Sequence, residues 1–309
     1  MIKDMLTVCV SLLALVACGL LAGCRVVSDD RAMPLLAAER AAGSGETAAM
    51  TKAAADSGQA SAAADSSAAD SMAATAGSAI STQVADSAQD SVASPTLRIL
   101  SFNVRTWTRD RDADSDVFWR TRMAAMERMI EDQDPDVLCF QEMLFPATRY
   151  VPDGYRRVGA VNISHPIFVR KGLKVRDTEL SLRWQACTVN GVRIINVHSS
   201  WDREITQRTV EQVNAQLTGR DVACGDWNVR LAALQNAGLQ MESARVLLGL
   251  PEEDTFANFT RPLESHGPID HFFVRGLAPL SYRLVTDSYG CAKMSDHYPM
   301  LLEIYLILK

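Results

Sequence analysis

The part of this sequence that is rich enough in apolar residues to fold has no excess of basic side chains. Residues 1–24 carry one basic and one acidic residue, and residues 25–96 carry four basic and nine acidic ones. The other 26 basic and 27 acidic residues lie in residues 97–309. Proteins that coat nucleic acids depend on many contacts between Lys or Arg and phosphate. The nearly equal numbers of basic and acidic residues in residues 97–309 argue against such a protein. They are compatible with a local basic patch around a site.

Aromatic residues are absent from residues 1–96, and every Trp, Tyr, Phe and His of the chain follows them. Residues 25–96 consist mostly of Ala, Ser, Asp, Gly and Thr. Such a segment cannot bury enough apolar surface to offset the entropy of ordering it. We therefore predict a disordered linker over residues 25–96, followed by a single domain over residues 97–309 that is large enough to fold without disulfides.

One long apolar run, residues 6–21, precedes the sequence Leu21-Ala22-Gly23-Cys24. It is short for a transmembrane span and is typical of an export signal, with an uncleaved anchor helix as the alternative. The ending resembles the lipobox of bacterial lipoproteins. The resemblance implies that residues 1–24 are a lipoprotein signal peptide, that Cys24 carries lipid, and that the protein is exported and bound to a bacterial membrane. Arg25, in place of a retaining Asp, favours the outer membrane over the inner one.

The cysteines of the domain do not have the spacing of a zinc site. Cys139 and Cys224 lie inside strand-like apolar runs. Disulfides are permitted in an exported domain, but this placement favours buried free thiols.

Strand-like and helix-like segments alternate along the domain. Helices are predicted at residues 117–132, 203–217 and 241–249, with acidic helix-start residues at 114–116. Strands are predicted at 97–104, 137–140, 165–170, 183–189, 192–198, 221–226, 269–274 and 299–306. The mixture indicates an α/β or α+β domain with a substantial sheet.

Polar side chains stand where the predicted strands end. They are Asn103, Gln141, Glu142, His198, Asp226, Asn228, Asp270, His271, Asp296 and His297. Each alone has an ordinary structural explanation, such as a turn or a hydrogen-bonded core histidine. Together they predict a site at one rim of a sheet. Carboxylates, amides and imidazoles in this mixture suit a Mg²⁺ or Mn²⁺ phosphate site rather than a zinc or haem site.

Six segments in order carry a resemblance to a known superfamily. They are Ser101-Phe102-Asn103-Val104-Arg105, Gln141-Glu142, Asn196-Val197-His198, Gly225-Asp226-Trp227-Asn228, Ile269-Asp270-His271-Phe272-Phe273 and Ser295-Asp296-His297-Tyr298-Pro299. This set resembles the ordered motifs of the endonuclease/exonuclease/phosphatase superfamily, above all its exported bacterial members. The resemblance implies a four-layer α/β/β/α sandwich of two packed mixed sheets, with the site at one rim.

The resemblance also implies a role for each motif residue. Glu142 would be the principal ligand of Mg²⁺, or of Mn²⁺, with Asn103 and Asp296 as further ligands or outer partners. Asp226 would orient or deprotonate the attacking water, and Asn228 would hold that water or a phosphate oxygen.

Two imidazoles complete the implied site. His297 would lie against the scissile phosphate and be oriented by Asp270, and His198 would be a second donor to the phosphate. The implied reaction is in-line hydrolysis by water without a covalent intermediate.

The sequence departs from the family pattern at three places. Trp227 replaces the usual Phe and is expected to pack inside, and His271 replaces a Tyr and is expected to be structural. Residues 161–165 lack the acidic residue that exported relatives often carry, so substrate loops are expected to be altered.

Three functions remain open. The first is a membrane-tethered, metal-dependent phosphodiesterase or phosphatase, with a phosphoester substrate and no protein partner implied. The second is an exported nuclease, with Arg105, Arg109 and Arg111 gripping a phosphate chain, although neighbouring Asp residues offset that loop. The third is a non-catalytic binding protein on the same fold.

Overall fold

A computed structural model describes residues 25–26, 96–107, 110–112, 115, 117–144, 149–160, 163–257 and 267–306. They all belong to one of the two units into which the chain divides, Met1–Asp29 with Ser94–Lys309. The predicted signal peptide, Cys24 and nearly all of the predicted linker lie outside the described residues. No helix in the described ranges is long and apolar enough to cross a membrane.

The described residues form two β-sheets. The first sheet has the order β1-β6-β7-β8-β9-β11-β10. Its strands are β1 (Arg25–Val26), β6 (Val175–Leu180), β7 (Trp184–Val189), β8 (Val192–His198), β9 (Asp221–Asp226), β10 (Glu242–Ser243) and β11 (Asp270–Arg275).

The second sheet has the order β12-β13-β2-β3-β5-β4. Its strands are β2 (Thr96–Asn103), β3 (Val137–Gln141), β4 (Tyr155–Val158), β5 (Ile167–Arg170), β12 (Pro279–Leu284) and β13 (Met300–Tyr305). The helices are α1 (Trp119–Gln133), α2 (Arg203–Ala215), α3 (Leu231–Asn236) and α4 (Ala244–Leu247).

Each sheet contains one parallel pair whose strands are joined through a helix. Strands β2 and β3 pair in parallel around α1, with Asn103 opposite Gln141. Strands β8 and β9 pair in parallel around α2, with His198 opposite Asp226. Loops at the carboxyl ends of parallel strands are where α/β proteins bind ligands. The fold therefore offers two such ends, one from each sheet.

Side chains that alternate along the strands build three apolar layers. In β2, Leu97 and Ile99 face the other sheet and join the core between the sheets. Leu100 and Phe102 face the opposite way and pack with the apolar side of α1. On the outer face of the first sheet, Val210 and other α2 residues cover Ile195 and its neighbours. The predicted four-layer sandwich of two mixed sheets is confirmed.

Several local predictions differ from the structure. Helix α1 begins at Trp119, and its first turn has no side-chain cap because Phe118 occupies the capping position. The helix predicted at residues 241–249 is the two-residue strand β10 followed by the one-turn helix α4. Strands β1, β4, β6 and β12 and helix α3 were not predicted, and β1 occupies the first two residues of the predicted linker. Strands β6 and β12 carry charged, partly exposed residues without clean alternation.

The cysteines of the domain are free and buried, as predicted. Trp227 is fully buried against Phe273, so the expected packing role is confirmed. His271 is buried, and its Nε2 lies 2.9 Å from the Val229 carbonyl oxygen, which agrees with a structural role.

Candidate active site

The side chain of Asn103 connects the two sheets at the rim. Its Oδ1 accepts a hydrogen bond from the backbone N–H of Arg105 at 3.0 Å. This bond directs the amide nitrogen toward two carboxylates, and Nδ2 lies 3.0 Å from Asp226 Oδ2 and 3.4 Å from Glu142 Oε1. Asn103 is fully buried, so its amide orientation is set by these partners rather than by water.

Glu142 follows β3 directly and is held in a left-handed backbone conformation with φ of 56°. Its Oε2 accepts a hydrogen bond from the Thr106 N–H at 3.1 Å. The side chain remains partly exposed. The backbones of Arg105 and Asn228 also have positive φ angles. Such conformations cost energy in residues other than glycine, so the surrounding structure must hold these three backbones in place.

Asp226 ends β9, and the backbone beside it requires glycine. Gly225 has φ of 135°, and a Cβ there would lie 1.9 Å from the Val197 carbonyl oxygen of the neighbouring strand. Asp226 Oδ1 accepts the Asn228 N–H at 2.9 Å, which closes a tight turn. Asn228 Nδ2 lies 3.3 Å from the Ser199 carbonyl oxygen. Asp226 and Asn228 are therefore fixed relative to the end of β8.

The surroundings of Asp226 favour its protonated form. Burial and the nearby Asp270 carboxylate raise the pKa of Asp226 to about 6, against the opposing influence of His297 and His198. A carboxylate with a pKa close to neutral can accept a proton from water and later release it.

His297 is buried and bonded to Asp270. Its Nδ1 lies 2.8 Å from Asp270 Oδ2. The same Asp270 oxygen accepts the Thr255 hydroxyl at 2.7 Å, and the Thr255 oxygen accepts the Asp270 N–H at 3.0 Å. Phe256 pairs with His297 through an isolated β-bridge. The segment around Thr255 thus locks the Asp270–His297 pair in place.

Burial alone would lower the pKa of His297, but the carboxylates of Asp270 and Asp226 outweigh it and raise the pKa to about 10. The imidazole is therefore a cation at neutral pH. Its Nε2 lies 3.8 Å from Asp226 Oδ2 and 3.4 Å from Asn103 Nδ2. A proton on His297 Nε2 points into the space between the Asn103 amide and the Asp226 carboxylate.

His198 lies on the open side of the same cluster. Its Nε2 is 3.8 Å from Asp226 Oδ2, and 22% of its side chain is exposed. His198 is thus placed where an incoming anion would meet it before the buried residues. The Asp226 carboxylate lies between the two imidazoles.

Asp296 belongs to an ion network that the sequence analysis did not identify. Its Oδ2 lies 2.6 Å from Arg105 Nη1. Arg105 Nε also contacts Asp110 at 2.9 Å, and Asp110 contacts Arg122 of α1 at 2.9 Å. Burial opposes ionisation of Asp296, but His297 and Arg105 outweigh it and hold its pKa below the usual value.

The structure thus brings together all eight site residues predicted in the domain. They are Asn103, Glu142, His198, Asp226, Asn228, Asp270, Asp296 and His297. Thr106, Thr255 and the Arg105–Asp110–Arg122 network were missed. The alternation of Arg and Asp along residues 105–112 was the only signal for that network. The sequence analysis assigned Arg105 to a loop that would grip a phosphate chain in a nuclease, whereas its guanidinium contacts Asp110 and Asp296.

Two sets of residues have the chemistry to hold a divalent metal ion. Asp226, Asp270 and His297 each offer a ligand atom within 4.8 Å of the others. However, Asp270 and His297 are bonded to each other, and a protonated imidazole has no lone pair for a metal. Glu142 offers hard oxygen donors on a partly exposed side chain and fits Mg²⁺ or Mn²⁺ better. Asn103 presents its amide nitrogen to Glu142 and its oxygen to the Arg105 N–H, so in this orientation it is an outer partner and not the metal ligand that was one of its two predicted roles.

The fold and the site define a class of domain: a sandwich of two mixed sheets with carboxylates, amides and imidazoles gathered at one rim. The family model for the Endonuclease/Exonuclease/phosphatase family matches residues 100–297. The chain belongs to this family.

Solved structures agree with this assignment at the level of the fold. A family member from Bacteroides vulgatus is 21% identical and covers 69% of this chain and 99% of its own, with a TM-score of 0.58. A mannosyl-6-phosphatase from Bacteroides thetaiotaomicron is 19% identical, covering 68% and 100%, with a TM-score of 0.55. A 3′ phosphatase from Neisseria, bound to a product DNA hairpin, is 16% identical, covering 68% and 100%, with a TM-score of 0.53. No curated protein matches the sequence at a significant level.

Proposed function

We propose that this domain is a divalent-metal-dependent phosphoester hydrolase in which water attacks the phosphorus directly. The observation that carries the proposal is the placement of the Asp226 carboxylate between the Asn103 amide and the protonated His297–Asp270 pair. Such a cluster combines one group that accepts a proton with several that bind negative oxygens.

Each residue has one task in this proposal. Asp226 accepts the proton of the attacking water, and Asn228 restricts where that water lies. His297 donates a hydrogen bond from Nε2 to a phosphoryl oxygen, and Asp270 keeps its ring oriented. His198 binds a second phosphoryl oxygen from the open side. When bound by Glu142, Mg²⁺ or Mn²⁺ would polarise the phosphoryl group and offset its charge.

An open cavity of about 320 Å³ is large enough for the organic part of a small substrate, and we assign it that role. Its lining combines Trp107, Phe118 and Trp119 with Arg111 and Arg120. The support for this assignment is that Trp107 of its lining directly follows Thr106, whose N–H binds Glu142. Aromatic faces and guanidinium groups suit a ring that carries a further negative charge. We therefore favour a sugar phosphate or similar ring phosphate, and the mannosyl-6-phosphatase among the structural neighbours supports this choice.

The proposal is tested with the full chain and a matched variant, Glu142→Gln. Turnover would be measured with Mg²⁺, with Mn²⁺ and with excess chelator. The panel comprises a hexose 6-phosphate, an aryl phosphodiester, a DNA hairpin with a 3′ phosphate, RNA and a phosphoinositide. We expect metal-dependent release of phosphate from the sugar, reduced at least about 10²-fold in the variant. Preference for DNA or RNA would support the nuclease alternative, and silence on every substrate would contradict the proposal.

We also propose that Cys24 carries lipid and tethers the domain to a bacterial membrane. The support is the Leu-Ala-Gly-Cys ending of the apolar run and the spacer-like composition of residues 25–96. Cys24→Ser should move the protein from the membrane fraction to the soluble fraction and abolish incorporation of labelled palmitate. Retention of the variant in membranes would contradict lipid attachment at this residue.

A further inference from the structure

Two buried amide side chains beside the site have no task in the proposed function. Gln141 ends β3 and directly precedes Glu142, and Asn196 lies in β8, two residues before His198. Both residues are completely buried. Burying an amide costs free energy unless its donors and acceptors find partners, so the contacts of these two side chains show what they hold together.

The two amides bond to each other across the interface between the sheets. Gln141 belongs to the second sheet and Asn196 to the first. Gln141 Nε2 donates to Asn196 Oδ1 at 2.7 Å. The same nitrogen lies 3.1 Å from the Cys139 carbonyl oxygen and 3.3 Å from Ser101 Oγ. The bond thus joins β3 to β8, and each of these strands leads directly into the site.

The nitrogen of Asn196 faces three backbone carbonyl oxygens. Nδ2 lies 2.8 Å from the Phe140 oxygen, 3.0 Å from the His165 oxygen and 3.1 Å from the Pro166 oxygen. A carbonyl oxygen accepts but cannot donate, so Asn196 must present its nitrogen to these groups and its oxygen to Gln141. Asn196 therefore fastens β8 to the end of β3 and to the residues that precede β5.

The amide pair lies next to the groups that would act on the phosphate. Gln141 is opposite Asn103 in the pair β2–β3, and Asn103 contacts Asp226 of the first sheet at 3.0 Å. Asn196 lies two residues before His198, which is opposite Asp226 in the pair β8–β9. Since a strand rises about 3.3 Å per residue, the pair lies within about 7 Å of these groups along the strands.

Gln185 of β7 is a further completely buried amide that joins the sheets, and it lies opposite Asn196. Its Oε1 accepts the Ile167 N–H at 2.8 Å, and its Nε2 donates to the Val158 carbonyl oxygen at 2.7 Å. The strands that it reaches carry none of the eight site residues. Both polar atoms of Gln185 are bonded, whereas Gln141 Oε1 is buried without a hydrogen-bond partner in the described part of the chain. For stability alone, an amide is worth less at position 141, which favours a positioning role for its bond to Asn196.

We propose that Gln141 and Asn196 are positioning residues whose bond sets the separation of the two halves of the site. Glu142 lies on one side of this bond, and Asp226 and His198 lie on the other. The inference rests on the proposed function, in which groups from both sheets act on one phosphorus atom. A misplacement of about 1 Å can lower a rate about 10²-fold, so loss of the bond should impair catalysis while every group that contacts the substrate is retained.

The test compares Gln141→Met with Gln185→Met in the full chain, since methionine has a similar size but lacks the amide. Gln141→Met should lower kcat about 10²-fold and change KM less than about threefold, whereas Gln185→Met should change kcat less than about threefold. The urea midpoint of unfolding should fall no more in Gln141→Met than in Gln185→Met. A merely structural role would make the loss of kcat follow the loss of stability in both variants.

Asn196→Ala and the double variant provide a second arm. If the two residues act through one bond, Gln141→Met combined with Asn196→Ala should lower kcat no further than the more impaired single variant. Mn²⁺ binding, measured from the paramagnetic resonance signal of free Mn²⁺, should change less than about threefold in each variant because Glu142 is retained. Circular dichroism would establish that each variant is folded.

The outcomes separate this inference from the proposed function. Equal losses of kcat in Gln141→Met and Gln185→Met, or an unchanged kcat in Gln141→Met, would overturn the positioning role and leave the hydrolase proposal intact. Losses that multiply in the double variant would also overturn it. If Gln141→Met and Asn196→Ala fail to fold while Gln185→Met folds, the pair serves folding rather than positioning. Absence of turnover by the unaltered chain on every substrate of the panel would overturn both proposals.

Discussion

Asp270 Oδ2 and His297 Nδ1 lie 2.8 Å apart, and both side chains are almost completely buried. Asp270 begins β11 of the first sheet, whereas His297 lies shortly before β13 of the second. The bond therefore connects the two sheets beneath the Asp226 carboxylate. It fixes the imidazole orientation and, with Asp226, keeps the ring protonated.

Asp270→Asn is expected to lower kcat by about 10²–10⁴-fold, because a neutral amide neither holds the proton on His297 nor orients the ring as firmly. Steady-state kinetics on the best substrate of the panel would measure the change. Thr255→Val is the matched control, since it removes a hydroxyl from the same oxygen but keeps the carboxylate, and its loss should be much smaller. Equal kcat values for Asp270→Asn and the unaltered protein would remove the pair from the mechanism.

The pH dependence of kcat/KM should follow the two shifted groups. Activity is expected to rise as pH passes about 6, where Asp226 becomes a carboxylate, and to fall near pH 10, where His297 loses its proton. A profile from pH 4.5 to 10.5 would measure both limbs. Asp270→Asn should move the alkaline limb to lower pH. An alkaline limb that stays in place would mean that His297 is not the group that titrates there.

Stability should also depend on pH through His297. Its pKa is raised from 6.5 to about 10 on folding, so the folded state binds a proton that the unfolded state releases between these values. The resulting stabilisation is complete below about pH 6.5 and is lost as pH rises through 10. Urea unfolding at pH 7 and pH 10.5 should show a larger fall in midpoint for the unaltered protein than for His297→Gln. Equal falls would contradict this account.

Gly225→Ala should destabilise the domain by more than about 3 kcal/mol or prevent folding, because the new Cβ would lie 1.9 Å from a backbone oxygen at a φ that only glycine tolerates. Gly172→Ala is the matched control. It also has a positive φ, of 97°, but nothing lies within 4 Å of the added atom, so about 1–2 kcal/mol is expected. Urea unfolding would compare the two. Similar losses would show that conformation, rather than the close approach to Val197, dominates.

Trp119→Ala should raise KM about tenfold with little change in kcat, if the aromatic cavity binds the organic part of the substrate. The indole stacks on Trp107 with ring centres 5.3 Å apart, so its loss also opens the cavity wall. Trp119→Phe keeps an aromatic face and should restore most of the affinity. A KM that is unchanged in Trp119→Ala would place the organic group elsewhere.

Much of the site was predictable because its residues terminate strands whose apolar runs are unmistakable. Asn103, Glu142, His198 and Asp226 all follow such runs, and the structure places them at the ends of the parallel pairs β2–β3 and β8–β9. The residues alone did not indicate that these ends come from two different sheets. That followed from the resemblance, because strand periodicity does not specify which strands pair.

The missed features share a physical cause, since long-range pairing leaves no local pattern. Strand β12 lies at the edge of its sheet, so its side chains are partly exposed and its sequence lacks the apolar pattern of a buried strand. Arg105 meets Asp296 across 191 positions of sequence. Thr255 lies in a segment without regular structure, and its hydroxyl contacts Asp270 and the Ile269 N–H, which are distant from it in sequence.

Because the site is divided between the two sheets, catalytic activity requires both sheets to be folded and packed together. Glu142 and Asn103 belong to one sheet, Asp226 and His198 to the other, and an apolar interface is what keeps the halves in register. Neither sheet carries a working subset of these groups. Inactivation by heat or urea should therefore coincide with global unfolding rather than precede it, and a fragment that holds a single sheet should be inert.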